Sequence, residues 1–234
     1  MWMAQTLSIV IPIYNEADHL EEVLRQIEAV EIGLEKELIL VDDCSTDGTR
    51  EILEKLQNSD DNDAKIFYHE INRGKGATLR TGFEHITGDI TLIQDADLEY
   101  DPQDYPKLLE PILNETADVV YGSRFMEGRQ EGLLRSYLAN RFLTFLSNLV
   151  NGTKITDMET CYKVMKSDIL KDISLTSDRF GFEPEITAKL AKRKCKIVDV
   201  PISYRGRDYH EGKTVSWKDG VAAIFHIFRF RFFS

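Results

Sequence analysis

The sequence predicts an α/β fold, a doubly wound and mostly parallel sheet with helices on both faces, from the pattern of its apolar residues. The runs "LSIVIPIYN" (7–15) and "ELILVDD" (37–43) are almost continuously apolar and rich in β-branched residues. Such runs are typical of strands that are buried on both faces. Between them, residues 17–31 place four apolar side chains at helical spacing. They are Leu20, Val23, Leu24 and Ile27.

The alternation of strand and helix continues along the following residues. A helix is predicted at 47–57, a strand at 65–69, a helix at 76–86 and a strand at 89–94. Strands that alternate with helices in this way form parallel sheets whose faces are covered by the helices.

Length and composition limit the class of protein. At 234 residues the chain suits one domain, predicted at 1–216, followed by a C-terminal segment at 217–234. Its three cysteines are odd in number and widely spaced, which argues against a disulfide framework or a zinc site and favours the reducing cytoplasm. The net charge of -11 argues against general nucleic-acid binding.

Polar residues follow three of the predicted strands. The segments are Tyr14-Asn15-Glu16, Asp42-Asp43 and Asp95-Ala96-Asp97. In open parallel sheets, ligands bind in the crevice at the carboxyl ends of the strands. The sequence therefore predicts that these three segments line one binding crevice.

The stretch "LIQDADLEYDP" places four carboxylates at alternate positions after the strand at 89–94. Asp95 and Asp97, followed by Glu99, can converge on one hard cation if the backbone turns after the strand. A divalent ion in such a site commonly bridges the oxygens of a diphosphate. Asp101 is predicted instead to cap the next helix, because Asp followed by Pro is a favourable N-cap and N1 pair.

Two glycine-bearing segments are candidates for phosphate contacts. In "NRGKGATLRTG", Gly74 and Gly76 flank Lys75 before a helix, which favours close backbone approach and a phosphate contact by the lysine. No Ser or Thr follows the lysine, so the segment is not a Walker A loop. The segment "YRGRDYHEGKT" adds three cations that suit a second phosphate clamp. They are Arg205, Arg207 and Lys213.

Two further segments are amphipathic. The predicted helix at 133–150 carries only arginines as charges and has five large apolar residues on one face. These are Leu134, Leu138, Phe142, Phe145 and Leu149. The segment at 217–234 is rich in Phe and basic near its end. Helices of this kind can lie on a membrane surface, and packing into the core is the alternative for the first of them.

Eight segments of the chain resemble, in order, those of family 2 glycosyltransferases, and most closely the dolichyl or polyprenyl phosphate mannose synthase branch. They are "IPIYNE", "VDDCSTDGT", "NRGKGATLRTG", "QDADLEYDP", "YGSRF", "DMETCYKVM", "GFEPEI" and "VPISYRGRDYHEGKT". The resemblance implies a GT-A fold, which is a Rossmann-like nucleotide-binding sheet with a metal-binding D-x-D segment.

The resemblance also implies a donor site. Five residues would form or adjoin the base and ribose pocket: Pro12, Tyr14, Glu16, Asp42 and Asp43. Asp95 and Asp97 would bind Mg²⁺ or Mn²⁺ or the sugar, and Glu99 stands where related enzymes often carry Gln. The glutamate keeps an oxygen donor at the third position.

For catalysis, the resemblance implies roles for residues later in the chain as well as for Asp97. Arg124 would face the acceptor phosphate, and Asp157 matches the acid of a D-x-x-(S/T)-G-(F/Y)-(R/K) segment. Cys161 replaces the usual glycine and is not expected to be a nucleophile, because no histidine lies nearby in the sequence. Arg207 and Lys213 match the basic pair of a mobile loop that closes on the nucleotide diphosphate.

The leading hypothesis is therefore an inverting, metal-dependent glycosyltransferase. It would move a hexose from a sugar nucleotide, with GDP-mannose as the first choice, to a polyprenyl or dolichyl phosphate at the cytosolic face of a membrane. Peripheral membrane contact or a membrane-protein partner would bring the chain to its lipid substrate. The other expected partner is a second copy of the chain, in a homo-oligomer. The alternatives are a UDP-glucose or other UDP-sugar donor, a soluble or glycan acceptor, and a non-catalytic sugar-nucleotide-binding subunit.

Overall fold

The computed structural model describes residues 4–59, 63–126, 134–206 and 217–233. In these ranges a seven-stranded sheet is flanked by helices. The strands are β1 (Thr6–Ile13), β2 (Glu35–Asp42), β3 (Lys65–Tyr68), β4 (Ile90–Ile93), β5 (Val119–Ser123), β6 (Lys163–Lys166) and β7 (Ile197–Pro201). The helices are α1 (Leu20–Ala29), α2 (Thr49–Gln57), α3 (Lys75–Phe83), α4 (Tyr105–Leu113), α5 (Leu134–Asn151), α6 (Ser167–Lys171), α7 (Phe182–Lys192) and α8 (Trp217–Phe232). A short 3-10 helix, Pro102–Asp104, precedes α4.

The strand order is β3-β2-β1-β4-β6-β5-β7, and the predicted mostly parallel sheet is confirmed. β1 lies beside both β2 and β4, with Ile9 opposite Leu38 on one side and Leu92 on the other. Nearly every residue of β1 is buried, as expected for a strand with both faces covered. The carboxyl ends of β1, β2 and β4 therefore meet at one edge, as the sequence predicted.

One strand departs from the parallel pattern. β6 is antiparallel to both β4 and β5, which it separates. Because its direction is reversed, the amino end of β6 lies at the edge where β4 and β5 have their carboxyl ends. The segment that leads into β6, residues 157–162, therefore reaches the same edge as the acidic residues after β4 and Arg124 after β5.

Helix α5 turns most of its predicted apolar face to solvent. On α5, Leu138, Phe142, Phe145 and Leu149 are all more than half exposed. The buried side of α5 is instead formed by Leu143, Thr144, Ser147 and Asn151. These four residues of the predicted face therefore do not pack into the core. The side chain of Leu134, the fifth residue of that face, lies outside the description.

Helix α8 packs against α5 and α7. Its Ala223, Ile227 and Phe230 are buried and Ile224 is half-buried, whereas four large apolar residues of α8 are exposed. The exposed residues of α8 are Val221, Phe225, Phe228 and Phe232. No helix in the described part of the chain is both long enough and apolar enough to cross a membrane.

Glu37 on β2 ties together the ends of three strands on the side opposite the polar crevice. Its carboxylate accepts hydrogen bonds from Lys65 Nζ at 2.5 Å, from the backbone N–H of Thr87 at 2.9 Å and from the Ser8 hydroxyl. Burial acts to raise the pKa of Glu37, but these hydrogen bonds prevail and lower it to about 2. The carboxylate therefore stabilises the folded state above its unfolded pKa of 4.5, and this contribution is lost as the pH falls from about 5 towards 2.

We expect Glu37→Gln to lower the free energy of unfolding at pH 7 by about 1–3 kcal/mol, because charge-assisted hydrogen bonds are lost. The difference from the wild type should shrink as the pH is lowered from 5 to 3, which urea unfolding at several pH values measures. Glu35→Gln on the same strand is the control, because Glu35 is exposed. A deficit of Glu37→Gln that stayed constant down to pH 3 would contradict this assignment.

Candidate active site

The first part of the crevice joins the loops that follow β1 and β2. The backbone N–H of Asn15 donates to Ser45 Oγ at 2.9 Å, and Asn15 Oδ1 accepts from the N–H of Thr46 at 2.8 Å. The N–H of Glu16 donates to Thr49 Oγ1 at 2.9 Å. These bonds fix the two loops against each other, and the side chain of Tyr14, 45% exposed, remains accessible at their edge.

The two aspartates after β2 are both buried, but they hold different parts of the crevice. Asp42 is fully buried and accepts hydrogen bonds from the N–H of Ser45. Asp43 accepts from the N–H groups of Arg73 and Gly74, at 2.9 and 2.6 Å. Asp43 also contacts His69 Nδ1 at 2.7 Å. Asp43 thereby anchors the glycine-bearing loop, and His69 is an internal hydrogen-bonding residue that also contacts Thr81 Oγ1 at 2.9 Å.

The glycines around Lys75 approach another segment of the protein backbone. A Cβ at Gly74, whose φ is +93°, would lie 2.6 Å from the carbonyl oxygen of Asp178. A Cβ at Gly76 would overlap the carbonyl oxygen of Ser177. The close approach predicted from the sequence is thus explained within the chain, by the segment 177–179 that leads into α7.

Lys75 itself points into the crevice and joins two carboxylates. Its Nζ lies 2.8 Å from Asp95 Oδ1 and 3.5 Å from Glu183 Oε1. Burial alone would lower the pKa of Lys75, but the charges of Asp95 and Glu183 raise it well above its usual value. For Asp95, burial acts to raise the pKa, but the nearby Lys75 ammonium outweighs this effect and the pKa is lowered. The raised pKa favours a charged Lys75 ammonium next to the acidic strand end.

The structure does not bring the three predicted metal ligands together. Asp97 Oδ1 accepts from the N–H of Glu99 at 3.0 Å, while Glu99 Oε2 accepts from the Tyr204 hydroxyl at 2.9 Å. In the described ranges, no group of three or more Asp, Glu, His or Cys side chains could hold a metal ion. The donor set suits a hard divalent cation only if Asp95 and Asp97 share it with oxygens from a ligand such as a diphosphate.

Asp101 takes the structural role that the sequence predicts. Its carboxylate accepts from the N–H of Gln103 at 2.9 Å and caps the 3-10 helix, whose first residue is Pro102. The prediction of an N-cap is confirmed.

The second part of the crevice is a buried ion pair. Arg124 Nε and Nη2 donate to the two carboxylate oxygens of Asp157 at 2.7 and 2.9 Å. Asp157 is fully buried and Arg124 is 7% exposed. The Arg124 guanidinium also lies over the Tyr204 ring, 5.0 Å from its centroid. Because Tyr204 binds Glu99, this aromatic residue links the ion pair to the segment that follows β4.

Two glutamates in the crevice were not predicted as site residues. Glu159 precedes β6 and Glu183 lies in the first turn of α7. Burial and the charge of Glu183 raise the pKa of Glu159 to about 8. The segment "GFEPEI" was recognised only for its resemblance, since a glutamate near a helix start is usually a surface residue. The sequence does carry one signal for Glu183. The residue before it is the apolar Phe182, which indicates that the start of this helix is buried.

Cys161 and Lys163 complete the wall of the crevice. Burial raises the pKa of the Cys161 thiol, which supports the prediction that Cys161 is not a nucleophile. Lys163 is fully buried, and its ammonium group donates to the carbonyl oxygens of Met158 and Thr160. Lys163 therefore fixes the loop before β6. Arg207 and Lys213, predicted to contact the diphosphate, lie outside the described residues.

A mostly parallel sheet with polar and charged residues at its carboxyl edge is the arrangement in which open α/β proteins bind their ligands. Within that class, the sequence model of "Glycosyl transferase family 2" matches residues 8–174. The chain belongs to glycosyl transferase family 2, and the resemblance inferred from its motifs is confirmed.

Curated relatives are similar over most of this chain. The undecaprenyl-phosphate 4-deoxy-4-formamido-L-arabinose transferase of Edwardsiella ictaluri is 30% identical over 211 residues, which cover 89% of this chain and 63% of the relative. The dolichol-phosphate mannosyltransferase of Pyrococcus furiosus is 30% identical over 220 residues, which cover 89% of this chain and 60% of the relative. The chain thus spans less than two thirds of the length of these relatives.

Solved structures confirm the GT-A fold. The glucosyl-3-phosphoglycerate synthase of Mycobacterium tuberculosis, in complex with Mn²⁺, UDP and phosphoglyceric acid, superposes with a TM-score of 0.73 at 19% identity. That alignment covers 98% of this chain and 80% of the other. The mannosyl-3-phosphoglycerate synthase of Rubrobacter xylanophilus gives a TM-score of 0.72 at 18% identity, covering 97% and 72% of the two chains.

Proposed function

We propose that the protein is an inverting glycosyltransferase that moves a hexose from a sugar nucleotide to a polyprenyl phosphate. The observation that carries the proposal is the arrangement of the crevice. Asp95 and Asp97 follow β4, Arg124 follows the nearby β5, and Tyr204 contacts both segments. The names of the two curated relatives, which act on undecaprenyl phosphate and dolichol phosphate, support a lipid phosphate as the acceptor.

The donor would bind along the loops after β1, β2 and β4. Its base and ribose would contact Pro12, Tyr14 and Glu16 on one side and the Asp42–Asp43 turn on the other. A divalent ion, Mg²⁺ or Mn²⁺, held by Asp95 and Asp97 would stabilise the negative charge of the leaving diphosphate. We take GDP-mannose as the leading donor, and a UDP-sugar is the alternative.

Lys75, Arg207 and Lys213 would supply positive charge to the same diphosphate. Lys75 is the cation placed closest to Asp95 in the described residues, and its ammonium group can move from that carboxylate to a phosphate oxygen when the donor binds. The roles of Arg207 and Lys213 rest on the resemblance of their segment to the mobile loop of the family.

The acceptor needs little activation. A phosphate monoester has a second pKa near 6, so at neutral pH it is already a nucleophile and requires no general base. The barrier then lies in holding two anions in line, which positioned cations lower. Arg124 would hold the acceptor phosphate with the part of its guanidinium that Asp157 does not use. Attack from the face opposite the diphosphate would invert the anomeric centre.

The exposed apolar faces of α5 and α8 would bring the crevice to its lipid substrate. They present Phe142, Phe145, Phe225 and Phe228 to solvent, and the exposed Arg141 and Arg229 lie among them. Exposed apolar surface flanked by arginine suits a membrane that contains anionic lipids. Peripheral contact with the cytosolic face of a membrane is therefore part of the proposal.

We expect the double variant Phe145→Ser/Phe225→Ser to bind phosphatidylglycerol-containing vesicles at least about tenfold more weakly than the wild type, because two aromatic contacts with the lipid are lost. Vesicle flotation measures this partitioning. Ile71→Ser is the matched control, since Ile71 is 68% exposed but lies outside α5 and α8. Unchanged vesicle binding by the double variant, with a dimer converted to a monomer in solution, would show that the faces join two copies of the chain.

Nucleoside diphosphate release tests the donor and the acceptor together. The purified protein is given GDP-mannose, UDP-glucose or UDP-N-acetylglucosamine, with Mn²⁺, in the presence and absence of polyprenyl phosphate in detergent. The proposal predicts release from one donor that polyprenyl phosphate stimulates strongly. Release that is insensitive to the lipid and rises with a soluble phosphorylated acceptor would assign the protein to the soluble-acceptor alternative.

A further inference from the structure

The carboxyl groups of Glu183 and Glu159 each have one buried oxygen without a hydrogen-bond partner among the described residues. Glu183 is 4% exposed, and its Oε2 has no partner among the described residues. The same holds for Glu159 Oε1. An unsatisfied carboxylate oxygen away from water costs free energy, so a chain normally supplies a donor for it. An oxygen left without one is a place where a ligand can supply the hydrogen bond.

The neighbouring Glu185 shows that this helix start can satisfy a buried carboxylate. Glu185 is also fully buried, but it accepts from the N–H groups of Thr176 and Ser177 at 2.8 and 2.7 Å and from Lys189 Nζ at 2.6 Å. Glu185 thereby fixes the loop before α7. The two glutamates are two residues apart, yet Glu185 has all its hydrogen bonds supplied by the chain and Glu183 keeps one buried oxygen without a partner.

The position of Glu183 relates it to the proposed donor site. Lys75 Nζ lies between Glu183 Oε1 and Asp95 Oδ1, at 3.5 and 2.8 Å. Glu183 is thus separated from the acidic strand end by a single ammonium group. In an in-line transfer the sugar lies between the leaving diphosphate and the incoming phosphate. Glu183, beside Lys75, is next to the diphosphate side of that sugar.

The chemistry of these oxygens selects their ligand. Carboxylate oxygens repel phosphate and accept hydrogen bonds from O–H or N–H groups. The Lys75 ammonium beside Glu183 disfavours a second cation at the same place. The geometry points to Glu183 as the hydrogen-bond acceptor for a hydroxyl group of the transferred sugar, and hence as a determinant of which sugar is transferred. This inference rests on the proposed sugar-nucleotide donor.

Binding measurements on the intact chain separate the sugar contact from the nucleotide contact. Calorimetric titration with Mn²⁺ compares the nucleoside diphosphate alone with the complete sugar nucleotide, for the wild type and for Glu183→Gln. In Glu183→Gln, the Lys75 ammonium holds the amide oxygen at the position of Oε1. The amide NH₂ group, which donates hydrogen bonds, then takes the position of the unpartnered acceptor Oε2. We expect the affinity for the nucleoside diphosphate to stay within about twofold and that for the sugar nucleotide to fall about tenfold or more.

The binding affinities of sugar nucleotides that each lack one hydroxyl group of the sugar give a second test. This test does not depend on the stability of the variant, because the wild type is measured first. The wild type should bind one deoxy donor about tenfold more weakly, and Glu183→Gln or Glu183→Ala should no longer distinguish that donor from the parent. Equal losses for nucleoside diphosphate and sugar nucleotide in the variants, or a wild type indifferent to every deoxy donor, would overturn the inference. A wild type that binds no sugar nucleotide would instead overturn the proposed function, and the inference with it.

Discussion

Asp97→Asn is expected to lose glycosyl transfer by about 100-fold or more while the protein stays folded. The substitution replaces a negative ligand by a neutral amide, so a divalent ion and the diphosphate charge that it balances are held less well. The fold should survive because the amide oxygen of the new side chain can still accept the hydrogen bond from the N–H of Glu99, which is 3.0 Å long in the wild type. Transfer rates at several Mn²⁺ concentrations and the thermal unfolding midpoint measure the two effects.

Asp101→Asn is the matched control for this experiment. It makes the same chemical change four residues further on, where the carboxylate caps a helix. Asn is as good an N-cap as Asp, so both activity and stability should remain close to those of the wild type. If Asp97→Asn transferred sugar at the wild-type rate, the metal and catalytic roles assigned to Asp97 would be wrong.

Arg124→Ala is expected to lower the free energy of unfolding by about 3–5 kcal/mol, because it leaves the carboxylate of Asp157 buried without its partner. Asp157 is fully buried and its two oxygens both accept from the Arg124 guanidinium. The double variant Arg124→Ala/Asp157→Asn should regain part of this loss, since the isolated charge is then removed. Urea unfolding of the two single variants and the double variant gives the coupling energy. Additive losses would show that the pair does not act as a unit.

A role for Arg124 in acceptor binding requires a separate variant, since the instability of Arg124→Ala hides it. Arg124→Lys keeps the positive charge but loses the planar fork that serves Asp157 and a phosphate together. We expect the KM for the lipid phosphate to rise while the KM for the donor changes little. Equal KM values for the lipid in the variant and the wild type would restrict Arg124 to a structural role.

Much of the sheet could be predicted because its strands are nearly continuous apolar runs. The end of such a run also places the residues that follow it, so Asp42, Asp43, Asp95 and Asp97 could be assigned to one edge. The reversed strand β6 could not be predicted, because "CYKVM" is short and strand direction depends on the sheet around it. That reversal brings Asp157 to Arg124, a pairing that the sequence did not predict.

The hydrogen-bonding state of a buried side chain was also beyond the sequence. Glu183 and Glu185 belong to the same short segment, yet one carboxylate is satisfied and the other has an unpartnered oxygen. The difference depends on the loop at 174–177, whose backbone N–H groups donate to Glu185. In the same way, the glycines beside Lys75 indicated a close contact, but only the structure identified the segment 177–179 as its partner.

Transfer of labelled sugar into an organic-extractable product tests the central claim most directly. The purified protein is incubated with polyprenyl phosphate, Mg²⁺ or Mn²⁺, and labelled GDP-mannose, UDP-glucose or UDP-N-acetylglucosamine in separate reactions, with and without EDTA. The account predicts lipid-soluble label from one donor, abolished by EDTA and by Asp97→Asn. The absence of lipid-soluble label from every donor, together with metal-dependent release of nucleoside diphosphate, would contradict a polyprenyl phosphate acceptor.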